Sequence, residues 1–149
     1  MKFKNLLKIT LALFMVLAPN QLFAKTIKWS MQGDSLTLDP HAQNEGPTTQ
    51  VSRQVYEALV TRGLDMSIEP QLATEWRTQG ENTWIFSLRE DVKFSDGSKM
   101  TSRDVVFSIL RAKQRTSDFK EYISTISGVE AVGDYKVEIT TSKPNPILL

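Results

Sequence analysis

The chain has 149 residues, 40% of them apolar by type, and 18 Lys and Arg stand against 17 Asp and Glu for a formal net charge of +1. That balance lacks the basic footprint of a nucleic-acid binder, and the absence of cysteine excludes disulfides, thiolate metal sites and lipid attachment through a cysteine. His41 is the one histidine and cannot build a multi-histidine centre alone, so no metal or other cofactor is expected.

At the N-terminus, Lys2, Lys4 and Lys8 precede an uncharged apolar run over residues 9–18, which ends at Pro19-Asn20-Gln21. This is the order of a secretory signal peptide. The run is shorter than the roughly 20 residues a membrane-crossing helix needs. Leu22-Phe23-Ala24 places a small residue before the expected cut, between Ala24 and Lys25. Residues 1–24 are therefore expected to be removed, leaving 25–149 as one modest, slightly acidic domain in a periplasm, without a lipid anchor.

Residues 26–31 alternate, with Ile27, Trp29 and Met31 on one side, which predicts a half-buried strand. Residues 35–47 hold Pro40, Gly46 and Pro47 and read as an ordered loop. A helix is expected from a cap at Thr48, its stripe formed by Val51, Val55 and Leu59 and widened by Tyr56 and Val60, with Arg53 and Glu57 as a solvated pair and Gly63 as its stop. An extended piece runs through residues 67–69 into Pro70. Residues 74–78 and 83–88 predict a hairpin around Gly80, since Trp84, Phe86 and Leu88 alternate with Thr83, Ile85 and Ser87.

Val92-Lys93-Phe94 predicts a short strand closed by the turn Ser95-Asp96-Gly97. Thr101-Ser102-Arg103-Asp104 resembles a capping box with Asp in the acidic position. The helix it opens has Val105, Val106, Ile109 and Leu110 as its stripe, widened by Phe107, and a basic tail of Arg111, Lys113 and Arg115 that suits the C-terminal dipole. Val129 and Val132, Gly133-Asp134, then Tyr135, Val137 and Ile139 predict a second hairpin. The closing Ile147-Leu148-Leu149 is apolar with nothing evident to pack against, so the sequence reads as interrupted. Strands and helices without regular alternation give an α+β class with a mixed sheet.

Catalytic chemistry finds no support. The seven glycines never cluster into a phosphate loop. His41 lies beside Pro40 in a loop and no nucleophile elbow occurs, so it reads as structural or exposed. Asp39 with Glu45, or Glu90 with Asp91, read as surface acids. Binding without catalysis remains, and the protein is expected not to be an enzyme.

Five segments in order, behind the signal peptide, carry a resemblance: Ser35-Leu36-Thr37-Leu38-Asp39-Pro40-His41; Val55-Tyr56-Glu57-Ala58-Leu59-Val60; Pro70-Gln71-Leu72-Ala73-Thr74-Glu75-Trp76; the stretch from Trp84 through Phe94 to Gly97; and Thr101-Ser102-Arg103-Asp104-Val105-Val106-Phe107-Ser108. Together they resemble the extracytoplasmic solute-binding proteins of family 5, which serve peptide, opine and nickel ABC transporters. Trp76, Trp84, Phe86, Leu88 and Phe94 among them have the composition of a core. The resemblance implies a bilobed, type II periplasmic-binding-protein fold that closes on its solute and delivers it to an inner-membrane ABC permease, acting as a monomer. Residues 25–149 would then form the first part of the first lobe, marginally stable when separate from the rest.

For the solute, a peptide or similar small molecule, the resemblance points to Asn44, Glu45, Thr48 and Thr49 after the first strand, and to Arg115 and Phe119 beyond the second helix. Glu45 suits a ligand amine, Arg115 a carboxylate and the threonines main-chain groups. A different class of function, a periplasmic adaptor that binds another protein through an exposed sheet edge, is the alternative.

Overall fold

The computed structural model describes residues 26–146 and 148. The chain divides into two units, Met1–Ser30 and Met31–Leu149. The expected signal peptide and its cleavage point at Ala24 and Lys25 lie outside the described residues. Of the first unit only residues 26–30 are described. They have no regular secondary structure, and Ile27 and Trp29 are exposed. The strand expected over 26–31 does not form: alternation fits a pleated ribbon only where a neighbouring strand satisfies its backbone, and no pairing includes these residues.

In the second unit, α1 is short, Gly46–Ser52, with Pro47 in its first turn, where a missing N–H costs nothing. The residue at the N-cap is Glu45, in extended conformation, rather than Thr48. The helix stops well before Gly63, contrary to the expectation from Val51, Val55 and Leu59. Residues 58–62 are taken by other partners instead. Val60–Arg62 (β1) pairs antiparallel with Ile68–Pro70 (β2), and the Leu59 carbonyl accepts from Ala73 N–H at 2.8 Å. Tertiary pairing thus overrides local helical periodicity, leaving Val55 exposed and Arg53 and Glu57 off any helix.

The β1–β2 connection puts Met66 at φ 67°, while Gly63 keeps an ordinary negative φ. An L side chain in this left-handed region costs about 1–2 kcal/mol, and Met66 is exposed with little packing to lose. Met66→Gly should therefore raise stability by about 0.5 kcal/mol after the extra flexibility of the unfolded glycine is offset. Urea titration would show it as a higher midpoint at unchanged slope.

The main sheet holds Ala73–Gln79 (β3), Thr83–Leu88 (β4), Ile126–Ala131 (β5) and Lys136–Thr141 (β6) in the order β3-β4-β6-β5. The first expected hairpin is β3–β4, with Trp76 opposite Phe86 and Gly80 at φ 68° in its turn. The second is β5–β6, with Val129 opposite Ile139 and Gly133 at φ 69°. Every strand pairing among the described residues is antiparallel. The α+β class holds, while the sheets are antiparallel where a mixed sheet was expected. The reason is local: each hairpin turn reverses the chain, and β6 slots between β4 and β5 with Phe86 opposite Val137.

Ser102–Ala112 (α2) follows β4 and covers one face of this sheet. Its start is the expected capping box: the Asp104 carboxylate accepts from Thr101 N–H at 2.7 Å. Val105 is buried, and Val106 and Ile109 pack partly against the core. Phe107 and Leu110 do not belong to that stripe and are exposed, since at 100° per residue Phe107 falls on the opposite side from Val105 and Ala112. The core itself comprises Ala73, Trp84, Phe86, Leu88, Met100, Val105, Ile126, Val129, Val137 and Ile139. Leu148 packs against it, so part of the C-terminal apolar triplet does find a partner.

Phe94 is exposed, in contrast to its expected core role. Its segment forms a single bridge, Lys93 to Lys99, rather than a strand. The turn does form: Gly97 sits at φ 89°, and the Asp96 carboxylate accepts from Ser98 N–H at 2.8 Å. Such a tight reversal leaves room for one ladder rung, and Phe94 stands outside the sheet.

Candidate functional site

The loop before α1 is folded by its own short polar side chains. The Thr37 hydroxyl accepts from Asp39 N–H at 3.0 Å, and the Asp39 carboxylate accepts from His41 N–H at 3.0 Å. These turns aim the Asp39 carboxylate at the last turn of α2. There Arg111 grips it with both nitrogens, at 2.8 Å and 2.5 Å. This fork geometry is the strong form of an ion pair. The Arg111 hydrogen bonds, then that of His41 N–H, hold the Asp39 carboxyl at about 2. Its stabilising contribution is full above the ordinary carboxylate value of 3.8 and is lost as pH falls through about 2.

Arg111 Nη1 also lies 2.9 Å from His41 Nδ1. A guanidinium only donates, so Nδ1 accepts and the imidazole is neutral with its proton on Nε2. Burial, then the Arg111 charge, lowers the His41 pKa from its ordinary value. His41 is thus structural, as the sequence suggested, though its partner is a residue that reads in sequence only as a helix-dipole charge.

The same loop meets the segment after α2 at two further points. Asp118 N–H donates to the His41 carbonyl at 3.0 Å, and Asn44 Nδ2 donates to the Tyr122 hydroxyl at 2.9 Å. The Tyr122 ring is 6.1 Å from Phe119 at 45°. Of the residues singled out in sequence, Asn44 and Phe119 are therefore brought together through Tyr122. Glu45 is exposed at the start of α1, its carbonyl accepting from Thr49 N–H at 2.8 Å. Thr49 is half-buried, and Arg115 is exposed. Thr48 is 1% exposed and its hydroxyl accepts from Leu36 N–H at 3.2 Å, so it holds the loop from inside.

Tyr122 was missed in sequence because residues 113–125 show neither helical nor strand period, which leaves no face on which to place it. A separate cleft of about 780 Å³ opens between residues 55–59, residues 89–95 and α2, with Tyr56, Leu72, Arg89, Phe94 and Ile109 in its wall. None of the expected site residues lines it. Among the described residues, no group of three or more His, Asp or Glu could hold a metal ion, and no helix is long and apolar enough to cross a membrane.

The family model for bacterial extracellular solute-binding proteins, family 5 (middle region), matches residues 67–149, more than half of the chain. The chain belongs to this family, whose members bind solutes and are not enzymes. The periplasmic oligopeptide-binding protein OppA of Escherichia coli K12 is 31% identical over 129 residues, covering 74% of this chain and 24% of that protein. Among solved structures, Haemophilus influenzae OppA in complex with RPPGFSPFR superposes with a TM-score of 0.74 at 27% identity, covering 77% of this chain and 26% of that one. The binding protein MoaA of A. tumefaciens R10, in complex with mannopinic acid, gives a TM-score of 0.70 at 36% identity over 76% of this chain and 24% of that one. The chain thus spans about a quarter of the length of the relatives it matches.

Proposed function

We propose that the chain is part of the periplasmic substrate-binding component of an ABC importer and that its solute is a peptide. The observation that carries this reading is the match to oligopeptide binders at both levels: 31% identity to the Escherichia coli protein, and superposition on a relative holding a nine-residue peptide. In this reading residues 1–24 direct export and are cleaved after Ala24, and the mature protein is a soluble monomer that hands its solute to an inner-membrane permease. Residues 25–149 contribute to the first lobe of a receptor that closes about a hinge. Asn44, Glu45, Thr49, Arg115 and Phe119 face the solute, with Thr48 bracing the loop beneath them.

The test is calorimetric titration of the protein, purified from periplasmic extract, with tri- to nonapeptides and with mannopinic acid. N-terminal sequencing of the same sample reads the cleavage point. Saturable heat from peptides, weakened by Glu45→Gln or Arg115→Ala, supports the reading. Heat from mannopinic acid alone would replace peptide with opine, and silence from all of them would overturn solute capture by this chain.

A further inference from the structure

We infer that Asp39, His41 and Arg111 form a proton-releasable latch: while His41 is neutral, they hold the loop carrying Asn44 and Glu45 against the segment that follows α2, and protonation of His41 releases it. That Asn44 and Glu45 touch solute rests on the receptor reading; the latch does not.

The geometry allows His41 only one protonation state while the latch is shut. Arg111 Nη1 approaches Nδ1 at 2.9 Å, and the same guanidinium is already committed to both oxygens of Asp39. A proton on Nδ1 would set donor against donor and cation against cation at that distance. The Asp39 carboxylate offsets part of the new charge, but both of its oxygens are engaged by Arg111, so it cannot turn to the imidazole as a new acceptor while that fork holds. Either the imidazole or the guanidinium must then move, and His41 is tied through its carbonyl to Asp118 N–H and through its own N–H to Asp39. Motion at His41 therefore passes directly to the junction between the two segments, three residues from Asn44 and its bond to Tyr122.

The groups that face His41 and its partner can be named element by element. Its own loop supplies the Asp39 carboxylate, and α2 supplies Arg111. The segment after α1 supplies Tyr56, which faces Arg111 electrostatically and whose hydroxyl donates to the Leu38 carbonyl at 3.0 Å. The segment after α2 supplies Asp118, in contact through its main-chain N–H. Asp39 favours the charged imidazole, but burial and Arg111 outweigh it, and the His41 pKa lies below 6.5. The unfolded chain thus binds the proton more readily. The latch is worth most above 6.5 and is lost as pH falls through the lowered value.

With one histidine in the sequence, the imidazole signals are unambiguous. Long-range ¹H–¹⁵N spectra of the whole chain at neutral pH should show Nδ1 unprotonated, and titration should give a midpoint below 6.5. The protection of the Asp118 amide, its exchange taken relative to the intrinsic rate at each pH, should fall at least severalfold as pH drops through that midpoint while the helical circular dichroism stays constant. His41→Asn places an amide oxygen where Nδ1 accepts and should keep Asp118 protected on both sides of the titration. Arg111→Met should leave Asp118 fast-exchanging at every pH and raise the His41 midpoint. A proton on Nδ1 at neutral pH, a midpoint at or above 6.5, unchanged Asp118 protection, or global loss of helix along with it would each overturn the latch. No solute enters these measurements, so their failure and that of the receptor reading are distinguishable.

Discussion

Phe86→Ala should cost about 3–5 kcal/mol, the range for deleting a buried aromatic ring, whereas Phe107→Ala should change stability by less than about 0.5 kcal/mol. Phe86 is 2% exposed at the centre of β4, between β3 and β6, and its ring lies 6.5 Å from that of Trp84. Neighbouring strands cannot collapse into the void without breaking register on both sides. Phe107 is 69% exposed on the outer side of α2. Both are phenylalanines in regular structure, so intrinsic hydrophobicity cancels and burial alone separates them. Because typical domains have only about 5–15 kcal/mol in total, the Phe86 variant should lose most of its cooperative urea transition. Similar midpoints for the two variants would contradict the assignment of β4 as the central core strand.

The two hairpins were legible because each sets apolar residues at every second position beside a glycine in the turn, with Ile85 the one apolar intruder in β4, and both conditions act within a dozen residues. Trp84, Phe86 and Leu88, then Val137 and Ile139, needed no distant information to be placed inside. The capping box at Thr101 was legible for the same reason, since its partner Asp104 lies three residues away. The first helix failed because a local period competed with a remote partner. Val51, Val55 and Leu59 have helical spacing, yet the Leu59 carbonyl and Val60 pair with residues around 70–73. Phe107 was placed on the stripe by hydrophobicity, although its angular position around the helix sets it apart from Val105.

The site was less legible than the fold, and for a related reason. Asn44 and Phe119 could be named only by resemblance, and what joins them is Tyr122, 78 residues from Asn44 in sequence. Arg111 read as one cation in a basic helix tail. Its actual partners are Asp39 and His41, 72 and 70 positions upstream. Neither periodicity nor motif spacing reports such pairs, because nothing in the intervening chain constrains the two charges to meet. The folded sheet does so by placing α2 where the preceding loop must pass its end.

Ser102→Ala should destabilise the chain by about 0.5–1.5 kcal/mol, the net worth of one hydrogen bond, while Ser108→Ala on the same helix should be nearly neutral. Ser102 is fully buried; its N–H donates to the Asp134 carbonyl at 2.7 Å and its hydroxyl to the Gly133 carbonyl at 2.5 Å. These bonds fasten the first turn of α2 to the β5–β6 turn, which must project its carbonyls because Gly133 adopts φ 69°. Alanine keeps the N–H bond and helix propensity but removes the hydroxyl that donates to the Gly133 carbonyl, leaving the exposed turn with only solvent in its place. The exposed Ser108 has solvent as its alternative partner. Urea unfolding of the two variants should therefore separate by at least about 0.5 kcal/mol, and amide exchange in the first turn of α2 should rise in the Ser102 variant alone. Equal stability would mean that α2 is held to the sheet by Val105 and its apolar neighbours without help from this polar clasp.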